Sequence, residues 1–120
     1  MTFLELRPMF RTWDIPGTIA FYCDILGFTC RAFDQDWGWA HLARDEVNLM
    51  LSGPNEHEGD QAPRFTGSLY ITCNDVDSLF SSIKDHVKVC YPIEDFEYGM
   101  REFGIYDNNG YILQFGRPIS

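Results

Sequence analysis

Two stretches of the chain carry the same pattern of apolar and polar positions. Asp14, Ile15, Ile19, Tyr22, Leu26 and Phe28 are matched 61 residues later by Asp75, Val76, Phe80, Ile83, Val87 and Val89. In each copy an Asp precedes apolar positions spaced 4, 3 and 4, as in a capped helix that buries one face. Runs of alternating, β-branched and aromatic residues come before both, at residues 7–13 and 69–73, and predict strands. The first helix is expected over 15–26, with Pro16 accepted in the first turn and Gly27 ending it in a left-handed cap. The second is expected over 75–86.

After each helix the period changes to that of strands. Residues 28–34 return as one strand, and the apolar runs 37–43 and 47–52 flank the polar pair Asp45-Glu46 as a hairpin. In the second copy, residues 88–91 form a strand, and the runs around Asp107-Asn108-Asn109-Gly110 form a hairpin. Each half is therefore βαβββ, and the fold class is α+β, with two such modules building a curved mixed sheet. The repeats cover about 1–52 and 66–120 of a single domain. The Gly-, Pro- and acid-rich residues 53–65 link them.

Composition narrows the function. At 120 residues, 45% hydrophobic and 16% aromatic, the chain can bury a core without staples. Cys23, Cys30, Cys73 and Cys90 show no C-x-x-C spacing, so they are expected to be reduced and mostly buried. No apolar run is long enough for a membrane helix and no signal segment opens the chain, which gives an expectation of a cytoplasmic protein without membrane contact. Nine basic against 18 acidic residues, net −9, repel a phosphate backbone and argue against nucleic acid. The same field would attract a cationic small molecule, although solubility is the plainer explanation.

The stretch WDIPGTIAFYCDILGF at 13–28, NDVD at 74–77 and YGMREFGIYDNNGY at 98–111 resemble the vicinal oxygen chelate superfamily, which includes glyoxalase I, extradiol dioxygenases and bleomycin-resistance proteins. The resemblance covers nearly the whole chain. It implies paired βαβββ modules forming a cup, a ligand on the concave face, and a homodimer. Metal enzymes of this superfamily place four His or Glu ligands on four central strands, and the resemblance puts Arg7, Asn48, Ser68 and Gln114 there, with Met50 able to replace Asn48. None is a His or a carboxylate, and a guanidinium repels a cation. The expectation is no metal and no cofactor, closest to the metal-free bleomycin-resistance branch.

Strand alternation places Arg7, Met9 and Arg11 on the ligand face, with Ser68, Tyr70 and Thr72 in the second copy. Asn48, Met50, Ile112 and Gln114 join them from the hairpins. Trp37, Trp39 and Tyr98 are candidate stacking residues, or else core or dimer contacts. Arg7 has two readings, a salt bridge to Glu102 or a contact to an acidic ligand group. Glu102 is then its partner or a free anion for an ammonium. His41, His86 and the run Glu56-His57-Glu58 with Asp60 read as structural or solvated groups.

The function expected is a binding protein that sequesters an aromatic natural product with cationic character, with antibiotic binding and resistance as the setting. Its ligand set is Arg7, Arg11, Trp37, Trp39, Asn48, Met50, Ser68, Tyr98, Glu102 and Gln114, with no catalytic residue. The alternative is a metal-dependent lyase or dioxygenase using displaced ligands such as His41 and Glu102. A metal-free enzyme with one of these as base is a third reading.

Overall fold

A computed structural model describes residues 1–54 and 62–120, so the Glu56-His57-Glu58-Asp60 run lies outside the described residues. The chain divides into two compact units, Met1–Pro63 and Arg64–Ser120. In the first, the order is β1 (Met9–Arg11), α1 (Ile15–Ala20), β2 (Thr29–Asp34), β3 (Trp39–Arg44) and β4 (Val47–Ser52). The second has β5 (Ser68–Thr72), α2 (Val76–Ile83), β6 (Lys88–Asp95), β7 (Met100–Tyr106) and β8 (Ile112–Pro118). Both are βαβββ, and each forms a four-stranded mixed sheet, ordered β1-β4-β3-β2 and β5-β8-β7-β6. The outer β1 and β5 pair parallel with β4 and β8, and the remaining pairs are antiparallel. The α+β class with two βαβββ modules is what the sequence predicts.

The repeat extends to backbone detail. Asp14 Oδ1 accepts from the Gly17 N–H at 3.0 Å, and Asp75 Oδ1 accepts from the Ser78 N–H at 3.1 Å. Both are the expected caps, each satisfying an N–H that the first helical turn leaves without a partner. The turn before β3 holds Trp37-Gly38 and the turn before β7 holds Tyr98-Gly99, again 61 residues apart. Gly38 (φ 66°) and Gly99 (φ 90°) are both left-handed, a conformation glycine adopts without a Cβ penalty. Their carbonyls accept from the Gly53 and Ile119 N–H groups at 2.9 and 3.0 Å.

Several boundaries differ from the sequence reading. The first helix is α-helical only to Ala20 and continues as π-helix over Phe21–Ile25, before Gly27 (φ 73°) ends it as expected. The second stops at Ile83, so His86 lies beyond its end. β1 is three residues rather than seven, which leaves Arg7 outside it. β3 begins at Trp39, so Trp37 belongs to the preceding turn, not to the strand face of Trp39 and His41. The thiols are all free, but half-buried rather than buried.

Alternation divides each sheet into two faces. In the first, Phe10, Ala40, Leu42, Leu49 and Leu51 are buried on one side. In the second, Phe103, Ile105, Leu113 and Phe115 are buried on the side of α2, where Phe80 meets Phe103 at 4.9 Å and Phe103 stacks on Phe115 at 5.2 Å. The opposite faces carry the candidate site residues that lie in strands, while Arg7, Trp37 and Tyr98 lie outside them.

Candidate functional site

On the second sheet, the face turned away from α2 carries a connected polar cluster centred on Glu102. This residue sits in mid-strand and is only 1% exposed. The Tyr70 hydroxyl donates to Glu102 Oε1 at 3.0 Å and the Tyr91 hydroxyl donates to Oε2 at 2.5 Å. Gln114 Nε2 donates to the Tyr91 oxygen at 2.9 Å, and Ser68 Oγ donates to Gln114 Oε1 at 2.5 Å. A buried carboxylate is costly unless donors satisfy it, and two phenols do so here.

Glycines make the cluster possible. Glu102 pairs across the ladder with Gly116, and Gly104 pairs with Gln114. A Cβ on Gly104 would lie 2.4 Å from Tyr91 Cε1, and one on Gly116 would lie 2.1 Å from Tyr70 Oη. Each tyrosine therefore crosses the sheet over a position that has no side chain. Phe96 meets Tyr91 edge-on at 5.8 Å and stacks on Tyr98 at 5.4 Å, which extends the aromatic surface into the turn.

The hydroxyls respond to the carboxylate. Loss of water around the hydroxyl, followed by its hydrogen bond to Glu102, pushes Tyr70 up to about 12. The same causes, in the same order, raise Tyr91 further, against a lowering contribution from Gln114. Tyr98 is raised chiefly by hydrogen bonding to Glu102. All three stay protonated at neutral pH.

The first unit has a related but smaller arrangement. His41 is the third residue of β3, as Glu102 is of β7, and its Nε2 lies 2.9 Å from Asn48 Oδ1. Met50 pairs with His41 and with Met9, and Ser52 pairs with Trp39 and Arg11. These residues share the face opposite Phe10, Ala40 and Leu42. Arg7 is corrected on two counts: it precedes β1, and its guanidinium pairs with Glu5 at 2.9 Å. Glu102 is correspondingly neither Arg7's partner nor a bare anion, since phenols hold both its oxygens.

Sequence reasoning thus named Ser68, Glu102 and Gln114, which the structure joins in one network, and Tyr98 beside it. It placed Tyr70 on the correct face but missed Tyr91, Gly104 and Gly116. Glycines at mid-strand in an aromatic-rich chain were the available signal, because they mark places where another group approaches closely. Trp37 is 85% exposed in its turn, and Arg11, Trp39, Asn48 and Met50 sit on the first sheet.

The four positions aligned with metal ligands do not suit a divalent ion. Ser68 and Gln114 are bonded to each other, Asn48 faces His41, and Arg7 carries a positive charge paired to Glu5. Among the described residues no three His, Cys, Asp or Glu side chains gather as a donor set.

The Glyoxalase/Bleomycin resistance protein/Dioxygenase superfamily profile matches residues 6–115, and the chain belongs to that superfamily. Among solved structures, a protein of unknown function from Agrobacterium tumefaciens is 24% identical with a TM-score of 0.79, covering 98% of this chain and 95% of its own. The bleomycin-binding protein of bleomycin-producing Streptomyces verticillus, solved with copper(II)-bleomycin, is 25% identical with a TM-score of 0.72, covering 96% of each chain. TioX from a Micromonospora shares the fold at 17% identity, with a TM-score of 0.75 and coverage of 96% and 98%. No functionally curated protein matches the sequence.

Proposed function

We propose that this chain is a small-molecule binding protein that sequesters an aromatic natural product of cationic character and does not transform it. The observation that carries this reading is the cluster on the second sheet. The Ser68, Tyr70 and Tyr91 hydroxyl protons are committed within it, while Tyr70 and Tyr98 remain 43% and 64% exposed. Rings offer stacking area and the fixed hydroxyls and amide offer orientation, which is what binding requires. Proton abstraction by Glu102 would first have to displace two phenol donors. The Streptomyces protein that holds copper(II)-bleomycin supports the reading by analogy.

On the second unit, Ser68, Glu102 and Gln114 would orient the ligand; on the first unit, taken by itself, Arg11, Trp37, Trp39, Asn48 and Met50 are candidate ligand contacts. Arg7, paired with Glu5, would contribute only if a ligand acid displaced that pair. The same reading has the protein working in the cytoplasm as a homodimer, without a cofactor or metal, in antibiotic resistance.

Tryptophan fluorescence titration with bleomycin-type compounds and other planar natural products tests it. Saturable quenching is expected, with the ligand recovered unchanged by mass spectrometry. Failure of every aromatic compound tried, or conversion of the bound one, would refute it. Elemental analysis of protein purified without chelator separates the metal-dependent lyase or dioxygenase reading, which requires near-stoichiometric divalent metal.

A further inference from the structure

We infer that the Tyr70, Tyr91, Tyr98 and Glu102 cluster of the second unit is the seat of an organic ammonium group. This rests on the reading that the same face binds a small molecule, and it assigns the cationic part of that molecule to particular residues. Tyr70 and Tyr91 both turn their O–H bonds inward to Glu102, at 3.0 and 2.5 Å. Tyr70 presents outward an oxygen lone pair and its ring face, and Tyr91, whose oxygen also accepts from Gln114, presents its ring; both are regions of negative potential.

Behind the rings lies a carboxylate held by neutral groups, so its charge is spread over phenols and still acts on whatever approaches them. Tyr98 is 64% exposed, and Phe96 stacks against it with an interplanar angle of 10°. That stacking fixes the Tyr98 ring in place before any ligand arrives, so little rotamer freedom is lost on binding. Aromatic surfaces with an anion beneath them attract cations through the ring quadrupole, and most strongly when the cation is weakly hydrated, as an alkylated ammonium is. The net charge of −9 adds a long-range field of the same sign. An anionic ligand group would meet repulsion here, and a neutral one would gain ring contact alone.

The test compares choline with 3,3-dimethylbutan-1-ol, which has the same shape without the charge, by ligand-observed NMR with the full chain. The choline methyl signal should move upfield under ring current and saturate, with the alcohol at least tenfold weaker. Tyr98→Ala should weaken choline at least fivefold, and Tyr98→Phe should stay within twofold because the ring is retained. Glu102→Gln should remove most of the preference for choline over the alcohol. If that variant fails to fold, the exposed Tyr98 pair decides the matter. Equal affinity for choline and alcohol, no saturable choline shift, or a Tyr98→Ala protein that binds as before would overturn the inference. Aromatic natural products that still bind in that case would leave the broader reading intact. Choline binding without any aromatic ligand would do the reverse.

Discussion

Adding one methyl group at Gly104 should disrupt the cluster from beneath. Its Cβ would stand 2.4 Å from Cε1 and 2.9 Å from Cδ1 of Tyr91, the body of the ring rather than its tip, so the ring itself must move. Moving it breaks the Tyr91 bond to Glu102, about 1.5–3 kcal/mol for a charged acceptor, and the Gln114 bond to Tyr91, about 0.5–1.5 kcal/mol. Replacing a strand glycine by alanine returns roughly 0.5–1 kcal/mol. The net loss for Gly104→Ala is about 1–4 kcal/mol, or a fall in Tm of roughly 10 °C near the middle of that range for a domain of this size. Urea unfolding followed by tryptophan fluorescence measures it. The decisive comparison is a double-mutant cycle with Tyr91→Ala, because without the ring the new methyl has room. Gly104→Ala should then be neutral or slightly stabilising. An equal cost in both backgrounds would show that Tyr91 does not lie over Gly104, and the account of the cluster would fail.

Three further outcomes follow from the geometry. Asp14→Ala removes the acceptor for the Gly17 N–H and should cost about 1 kcal/mol in thermal melts, since an Ala cap leaves that donor to solvent. Phenolate absorbance should show Tyr70 ionising near 12, well after an ordinary phenol at 10, with Tyr91 also late, and Tyr70→Phe should delete one late component. Because the folded value is raised, the associated stability is fully present below pH 10 and is lost as pH climbs through about 12. On the acid side, the Ser78 hydroxyl and N–H hold Asp75 below its ordinary 3.8, and Arg101 does the same for Asp77. Their contribution is present above 3.8 and is lost as pH falls through the lowered folded values, so Asp75→Asn should flatten the acid limb of a stability-against-pH curve.

The two modules were legible because their signals are local. An Asp cap, helical spacing and a closing glycine act within one or two turns, and each recurs 61 residues later. Strand parity was equally legible: Ser68, Tyr70 and Gln114 were assigned to one face, and hydrogen bonds join them on that face through Tyr91 and Glu102. Element ends were harder. The pattern gave no sign that α1 turns to π-helix at Phe21, or that β1 is too short to carry Arg7. A short edge strand is bounded by what it can pair with, and β1 pairs only from Met9 to Arg11.

What the sequence determined by itself, then, was the repeated βαβββ plan and the face each strand residue takes, since both depend on backbone period and nearest-neighbour chemistry. Only the tertiary structure decided what Glu102 is. Tyr70 and Tyr91 come to it from two other strands, with Gln114 bonded to Tyr91 from a third, and the two rings reach it only because Gly104 and Gly116 leave the space. Such a contact is set by which strands lie side by side and by the absence of two side chains between them. The two glycines are written in the chain, but spacing along a single strand carries no record of which rings cross over them.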